Sequence, residues 1–390
     1  MPKVSAITHR YLGQPMFKII DEARRMEMKG VDVVHLEIGD PDFNTPEFIR
    51  EAAIQSIRAN QTHYVSSWGT PELRLAVQEA TKASRGFEPG LEQILITPGA
   101  NIAIFYAIAT TTGPGEEVLF PDPGFPSYVS TIASTGVKGT PYPLFSKNRF
   151  ELRAEDIEPL ISEKTKLLIV NNPQNPTGAV TSEHHLREIY ELAAEHDLWI
   201  YSDEIYARMN YGETQHFSLA SIDHSKDRVI LSNGFSKSFA MTGWRLGAVI
   251  APPKLTERMM LLLQTTSSCV PPFIQSAGIA ALNGDQAEIN GMMLSYRARR
   301  QMLVDGLNGI EGIRCHDPGG AFYAFPDISS FGLSSDEFAS RLLSESGVAV
   351  VSGTNFGSQG EGFIRLAYAT SESRILEGIR RIEEFCQRIV

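Results

Sequence analysis

Cysteine is scarce in this chain, with only Cys269, Cys315 and Cys386 among 390 residues. Their spacing fits no metal-ligand pattern. An odd, scattered set leaves no disulfide framework and points to a reducing compartment. Excess positive charge is also missing. A net charge of −11 argues against nucleic acid or an acidic membrane as the main partner. No stretch approaches the roughly 18 apolar residues that a membrane span needs. The opening Met1-Pro2-Lys3-Val4-Ser5 is not followed by the apolar core of a secretory leader. The cytoplasm is therefore the expected location. There is no internal repeat and no low-complexity tract.

What remains is an ordinary globular composition, 42% hydrophobic and 21% charged. The length allows one large domain and a smaller one. Through the middle, strand-like and helix-like runs alternate. Leu167-Leu168-Ile169-Val170, Leu198-Trp199-Ile200-Tyr201 and Val229-Ile230-Leu231-Ser232 read as buried parallel strands, and Thr181 to His196 as an amphipathic helix. The class is α/β, with a mostly parallel sheet covered on both faces. Ligands of such sheets sit at the carboxyl ends of the strands. Thr45-Pro46-Glu47 and Thr70-Pro71-Glu72 each place a capping threonine before a proline at the first helical position. From about residue 283 the character changes to a long charged helix and shorter polar elements. The expected division is an N-terminal segment (1–45) joining the small domain, a large domain (46–282) and a small α+β domain (283–390). Arg297, Arg299 and Arg300 read as a solvated helix face.

The segment from Ser236 to Gly247 carries the strongest chemical signal. Lys237 stands just past a buried strand, among small and hydroxylated residues, with Arg245 eight positions on. A lysine at a strand's carboxyl end can form a Schiff base with an aldehyde, and Ser236 and Arg245 could hold a phosphate beside it. Pyridoxal phosphate also needs a carboxylate to keep its ring nitrogen protonated. Asp203 lies at another strand end and suits that task, although an aspartate there can equally cap a turn. Tyr206 follows within reach of a ring hydroxyl. In Asn172-Pro173-Gln174-Asn175-Pro176-Thr177-Gly178, a tight turn explains the prolines and glycine but not Asn175. Gly99, Ala100 and Asn101 open a helix whose backbone N–H groups could meet an anion, a weak and common signal. Phe125 could stack on a ring or simply pack in the core. Arg365 interrupts an apolar run. It either faces a carboxylate or belongs to a structural ion pair. The adjacent His184 and His185 point to different helix faces and do not read as a metal site, and Gly113-Pro114-Gly115 reads as a plain turn.

In this order, the motifs resemble the class I/II aminotransferases, the fold-type-I pyridoxal phosphate enzymes typified by aspartate aminotransferase. The similarity runs from Leu36-Glu37-Ile38-Gly39-Asp40-Pro41 past Arg365. It implies a seven-stranded, mostly parallel sheet in the large domain. Lys237 would carry the internal aldimine and shuttle the proton. Asp203 would pair with the pyridine nitrogen, Tyr206 and Asn175 with the ring oxygen, and Phe125 would stack on the ring. Ser236, Arg245, Gly99, Ala100 and Asn101 would hold the phosphate. Arg365 would bind the substrate's α-carboxylate, with Gly39 and Asn175 lining that site. Tyr64 would reach the phosphate of a partner subunit, making the active unit a homodimer.

The resemblance implies glutamate and 2-oxoglutarate as the donor pair, with aspartate or an aromatic or aliphatic amino acid as the other. No second arginine for a side-chain carboxylate can be located. Residues 11–17, mostly apolar, are expected near the side-chain pocket. The same scaffold also serves β-elimination lyases and oxidases, which keep the lysine and aspartate. A transcriptional regulator would need an added DNA-binding segment.

Overall fold

The computed structural model describes residues 2–11, 13, 16–212 and 216–389. Seven strands form the central sheet: β1 (Ile94–Thr97), β2 (Glu117–Asp122), β3 (Lys138–Pro143), β4 (Thr165–Asn171), β5 (Trp199–Asp203), β6 (Val229–Gly234) and β7 (Gly247–Ile250). Their order is β1-β7-β6-β5-β4-β2-β3, and β7 runs antiparallel to both neighbours. The central strands are apolar on both faces because helices cover both faces. Alternation along each strand divides the burial. Leu168, Val170, Ile200 and Leu231 pack on one side, and Leu167, Ile169, Tyr201 and Ile230 on the other.

The helices that matter to the site are α1 (Pro71–Arg85), α2 (Ala100–Thr111), α3 (Pro126–Thr135), the single turn α4 (Phe235–Ser238) and α5 (Pro272–Asn283). Thr70 caps α1 as expected, its side chain accepting from the Leu73 amide. Thr45 does not cap the next helix. Its hydroxyl donates instead to the carbonyl of Ala240 (2.5 Å) and accepts from the indole N–H of Trp244 (3.0 Å), tying the N-terminal segment to the loop after Lys237.

A second core gathers Leu303, Leu307, Phe338, Leu342 and Phe385 with Val34 and Leu36 from the N-terminal segment. Val34–His35 pairs in parallel with Val348–Ala349, and Tyr323–Ala324, Ile364–Ala367 and Val351–Ser352 form a small antiparallel sheet. Arg297 is exposed on the long helix Ala287–Asn308, but its two neighbours in charge are not part of a solvated face. Arg299 is buried against the ring of Phe43 and bonded to Asp42 at 2.7 Å. Arg300 donates to the Pro318 carbonyl. Residues two apart on a helix point to nearly opposite faces, so Arg299 turns inward while Arg297 meets water. Among the described residues no helix is long and apolar enough to cross a membrane.

Candidate active site

Register builds the floor of the site. Asn171, Asp203 and Ser232 lie opposite one another across β4, β5 and β6, and each ends or nearly ends its strand. One turn past β6, α4 lifts Lys237 above this line. Its Nζ lies 2.5 Å from the Gly39 carbonyl and 5.6 Å from the Phe322 ring centre. Burial pushes the ammonium down to about 8, Asp40 opposes this, and the charges of Arg365 and Arg245 add to it. A lysine tuned in this way can release its proton near neutrality and act as a nucleophile.

Asp203 is buried on the same side. Tyr128, on α3, donates to its Oδ2 at 2.7 Å, and the Ile205 amide to Oδ1 at 3.3 Å. Burial raises this carboxyl to about 6, while the Tyr128 bond holds it down. No cation forms an ion pair with it among the described residues. The Tyr206 hydroxyl lies 2.9 Å from that of Tyr323.

Arg365 is 1% exposed, on the strand Ile364–Ala367. Its Nη1 donates to Asn175 Oδ1 (3.2 Å) and its Nη2 to the Glu37 carbonyl (2.6 Å). Its guanidinium lies over the rings of Tyr323 (4.4 Å) and Phe356 (4.9 Å). It makes no ion pair among the described residues, and its Nε has no partner. The structural ion pair is thus the weaker reading, since Glu37 acts on the guanidinium only from beyond contact, and a buried guanidinium that no carboxylate touches among the described residues suits an incoming anion. Gly39 is required beside it, because a Cβ there would come within 2.2 Å of the Tyr323 hydroxyl.

The remaining predicted residues form the far wall. Gly99, at φ +82°, precedes Ala100 and Asn101 at the start of α2, and a Cβ on Gly99 would lie 2.5 Å from Arg245 Nη2. Backbone N–H groups and a guanidinium therefore converge on one small space. Ser236 is buried on α4, and Phe125 sits edge-on to Tyr128 at 5.7 Å. Tyr64 stands apart, 86% exposed. In the expected side-chain segment 11–17, Leu12, Gln14 and Pro15 lie outside the described residues, and Tyr11 and Phe17 are exposed.

These features fit pyridoxal phosphate. A buried carboxyl without a cationic partner suits a pyridinium N–H, the Gly99–Arg245 cradle suits a phosphate, and Lys237 suits an aldehyde. Sequence reasoning assigned no role to Tyr128, Tyr323, Phe356 or Glu37, although Glu37 stands in the run 36–41. His184, His185 and Glu188 do bring ligand atoms within 4.8 Å of one another on a helix surface. His185 is already bonded to Glu188 and sits against the Arg153 guanidinium, whose charge opposes a metal ion.

Residues 31–382 match the profile of the family described as aminotransferase class I and II. An aspartate aminotransferase of Pyrococcus abyssi is 40% identical over 370 residues, 94% of each chain. The aromatic-amino-acid aminotransferase 2 of Thermococcus litoralis is also 40% identical over 370 residues, 94% of each. The crystal structure of an aspartate aminotransferase from Rhizobium meliloti superposes with a TM-score of 0.95 at 31% identity, covering 100% of both chains.

Proposed function

The chain belongs to the class I and II aminotransferases and is a pyridoxal phosphate-dependent aminotransferase, and we propose that Lys237, Asp203 and Arg365 carry its reaction. The substrates are an L-amino acid and a 2-oxo acid. L-glutamate and 2-oxoglutarate form one pair, and aspartate or an aromatic or aliphatic amino acid belongs to the other.

The observation that carries this reading is Arg365. Its fork is fixed by Asn175 and the Glu37 carbonyl, is in contact with no carboxylate among the described residues and stands in the same crevice as Lys237. A carboxylate docked there supplies the missing counter-charge and sets the amino acid's α-carbon beside the lysine amine. Bound pyridoxal phosphate supplies an electron sink for the pair left when the α-proton departs. Asp203 would hold the ring nitrogen's proton. Tyr206 and Asn175 would face the ring oxygen, and Phe125 the ring plane. Ser236, Arg245 and the backbone of Gly99, Ala100 and Asn101 would hold the phosphate. Lys237, with its lowered proton affinity, would take the α-proton and return it to the adjacent carbon, so that the amino group leaves one acid and is passed to another.

Tyr64 supports a homodimer. An aromatic ring 86% exposed at a position where the family contributes to a neighbouring phosphate is explained by a second copy. Three free cysteines support a cytoplasmic location. A survey of amino donors against 2-oxoglutarate tests the substrate assignment. Glutamate formed from aspartate or from an aromatic or aliphatic amino acid is expected, and failure of all of them would overturn it.

A further inference from the structure

A well-formed cavity lies apart from the crevice above Lys237. It lies behind α4, on the opposite face of the sheet, with a volume of about 650 Å³. That is within the roughly 300–1,000 Å³ range of small-molecule sites. Val77 and Ala80 of α1, Leu231 of β6, Phe235 and Phe239 form its apolar walls. Phe235, Ser238 and Phe239 belong to or follow the very turn that holds Lys237 on the other side.

Its polar lining includes two guanidinium groups, Arg85 and Arg208, and one imidazole, His216. At the mouth, Arg208 lies over the Phe239 ring at 5.1 Å and donates to Gln286 at 2.7 Å, and it makes no ion pair among the described residues. In the interior are Arg85 and His216, each with a side chain only 7% exposed. Arg85 is bonded to Glu204 at 2.9 Å, and His216 Nε2 lies 3.4 Å from the same carboxylate. His216 Nδ1 is buried and has no partner among the described residues. A guanidinium at the rim with no ion-pair partner among the described residues attracts an anion. The aromatic walls take a flat apolar body, and the unpartnered imidazole nitrogen awaits one polar group at depth. The acidic Glu204 behind it is already neutralised by Arg85, so among the described residues the cavity's uncompensated charge is positive.

We propose that this cavity is a second ligand site, for an aromatic monocarboxylate whose carboxylate meets Arg208 and whose far end carries a hydroxyl or N–H for His216. The site is separate from the substrate crevice, so one ligand can be held on each side of the lysine-bearing turn.

The test is calorimetric titration of the holoenzyme with 4-hydroxyphenylacetate, which has no amino or oxo group to exchange. Because a carboxylate can also enter the crevice, Arg365→Leu is used to remove that mode. In the Arg365→Leu enzyme one probe per chain still binds. Adding Arg208→Leu weakens it about tenfold or more, the loss expected for a charge-assisted bond. Ala80→Phe, which fills the cavity without touching a charge, removes it, and phenylacetate binds more weakly than its hydroxylated relative. Unchanged melting temperatures show that the variants fold. Binding that vanishes with Arg365→Leu alone, that ignores Arg208→Leu and Ala80→Phe, or that is absent from the parent enzyme would overturn the proposal.

Discussion

Asp203 and Glu204 are neighbours in sequence with opposite electrostatics. Alternation at the end of β5 sends Asp203 toward Tyr128 and Glu204 toward Arg85 and His216. Burial, opposed only by hydrogen bonds, raises Asp203 to about 6. Glu204 is just as buried, yet Arg85 and His216 bring it down to about 2. One carboxylate is left wanting a cation, and the other already has one.

The two should therefore respond to pH with opposite signs. The Asp203 contribution to stability is present below its ordinary 3.8 and lost as pH rises through about 6. The Glu204 contribution is present above its ordinary 4.5 and lost as pH falls toward about 2. In the cofactor-free protein at pH 8, Asp203→Asn raises the urea midpoint. Glu204→Gln lowers it, since breaking a buried pair costs about 3–5 kcal/mol. Shifts of the same sign in both variants would refute these assignments.

Arg365→Leu leaves the buried site without its carboxylate fork. The expected result is a fall of about 100-fold in kcat/KM, carried mostly by KM. Arg365→Lys keeps a charge but loses the fork and should fall between. Steady-state kinetics with a circular-dichroism melt decide this, and an unchanged KM in Arg365→Leu would remove the residue from substrate binding.

Gly39 and Tyr323 form a close contact that can be tested by a double-mutant cycle. The nearest atom to a Cβ on Gly39 is the Tyr323 hydroxyl at 2.2 Å, and the ring carbon bearing it is at 3.1 Å. Gly39→Ala should displace Tyr323 from Tyr206 and Arg365 and lower kcat/KM about tenfold or more. Tyr323→Phe removes the offending oxygen, so the double variant should lose less than the product of the two single losses. Simple multiplication would show that the steric account is wrong.

Tyr64 can be assigned to a neighbouring site by complementation. Homodimers of Lys237→Ala and of Tyr64→Ala should each be impaired, the first completely. Unfolding and refolding the two together should restore activity, because a mixed dimer has one site with both residues intact. If mixing restores nothing, Tyr64 does not act across subunits.

The α/β fold and the family were legible in the chain because the residues proposed to hold the cofactor stand in short local runs. Asp203 ends and Arg365 interrupts a strand that reads as apolar, and Lys237 and Asn175 stand a few residues past such strands. The strands Thr165–Asn171 and Val229–Gly234 are equally plain, being buried on both faces. Strand β3 is not, since its Lys-Gly-Thr-Pro-Tyr-Pro carries two prolines and lies at the sheet edge, where missing N–H groups are tolerated. Tyr128 meets Asp203 and Tyr323 meets Tyr206 only through tertiary packing, and Glu37, although in the run 36–41, contributes through its backbone carbonyl, which no side-chain pattern marks. Arg299 was misleading for the same reason, because Asp42, its partner, is 257 residues away.

The measurement that tests the central claim most directly is the absorption spectrum of the purified holoenzyme before and after L-glutamate, with no acceptor present. The account predicts that the cofactor's visible band bleaches to the pyridoxamine form, with one equivalent of 2-oxoglutarate and no ammonia released per site. It also predicts that Lys237→Ala shows no such turnover. A band that bleaches in the Lys237→Ala variant at the parent's rate, or ammonia released in place of a retained amino group, would contradict it.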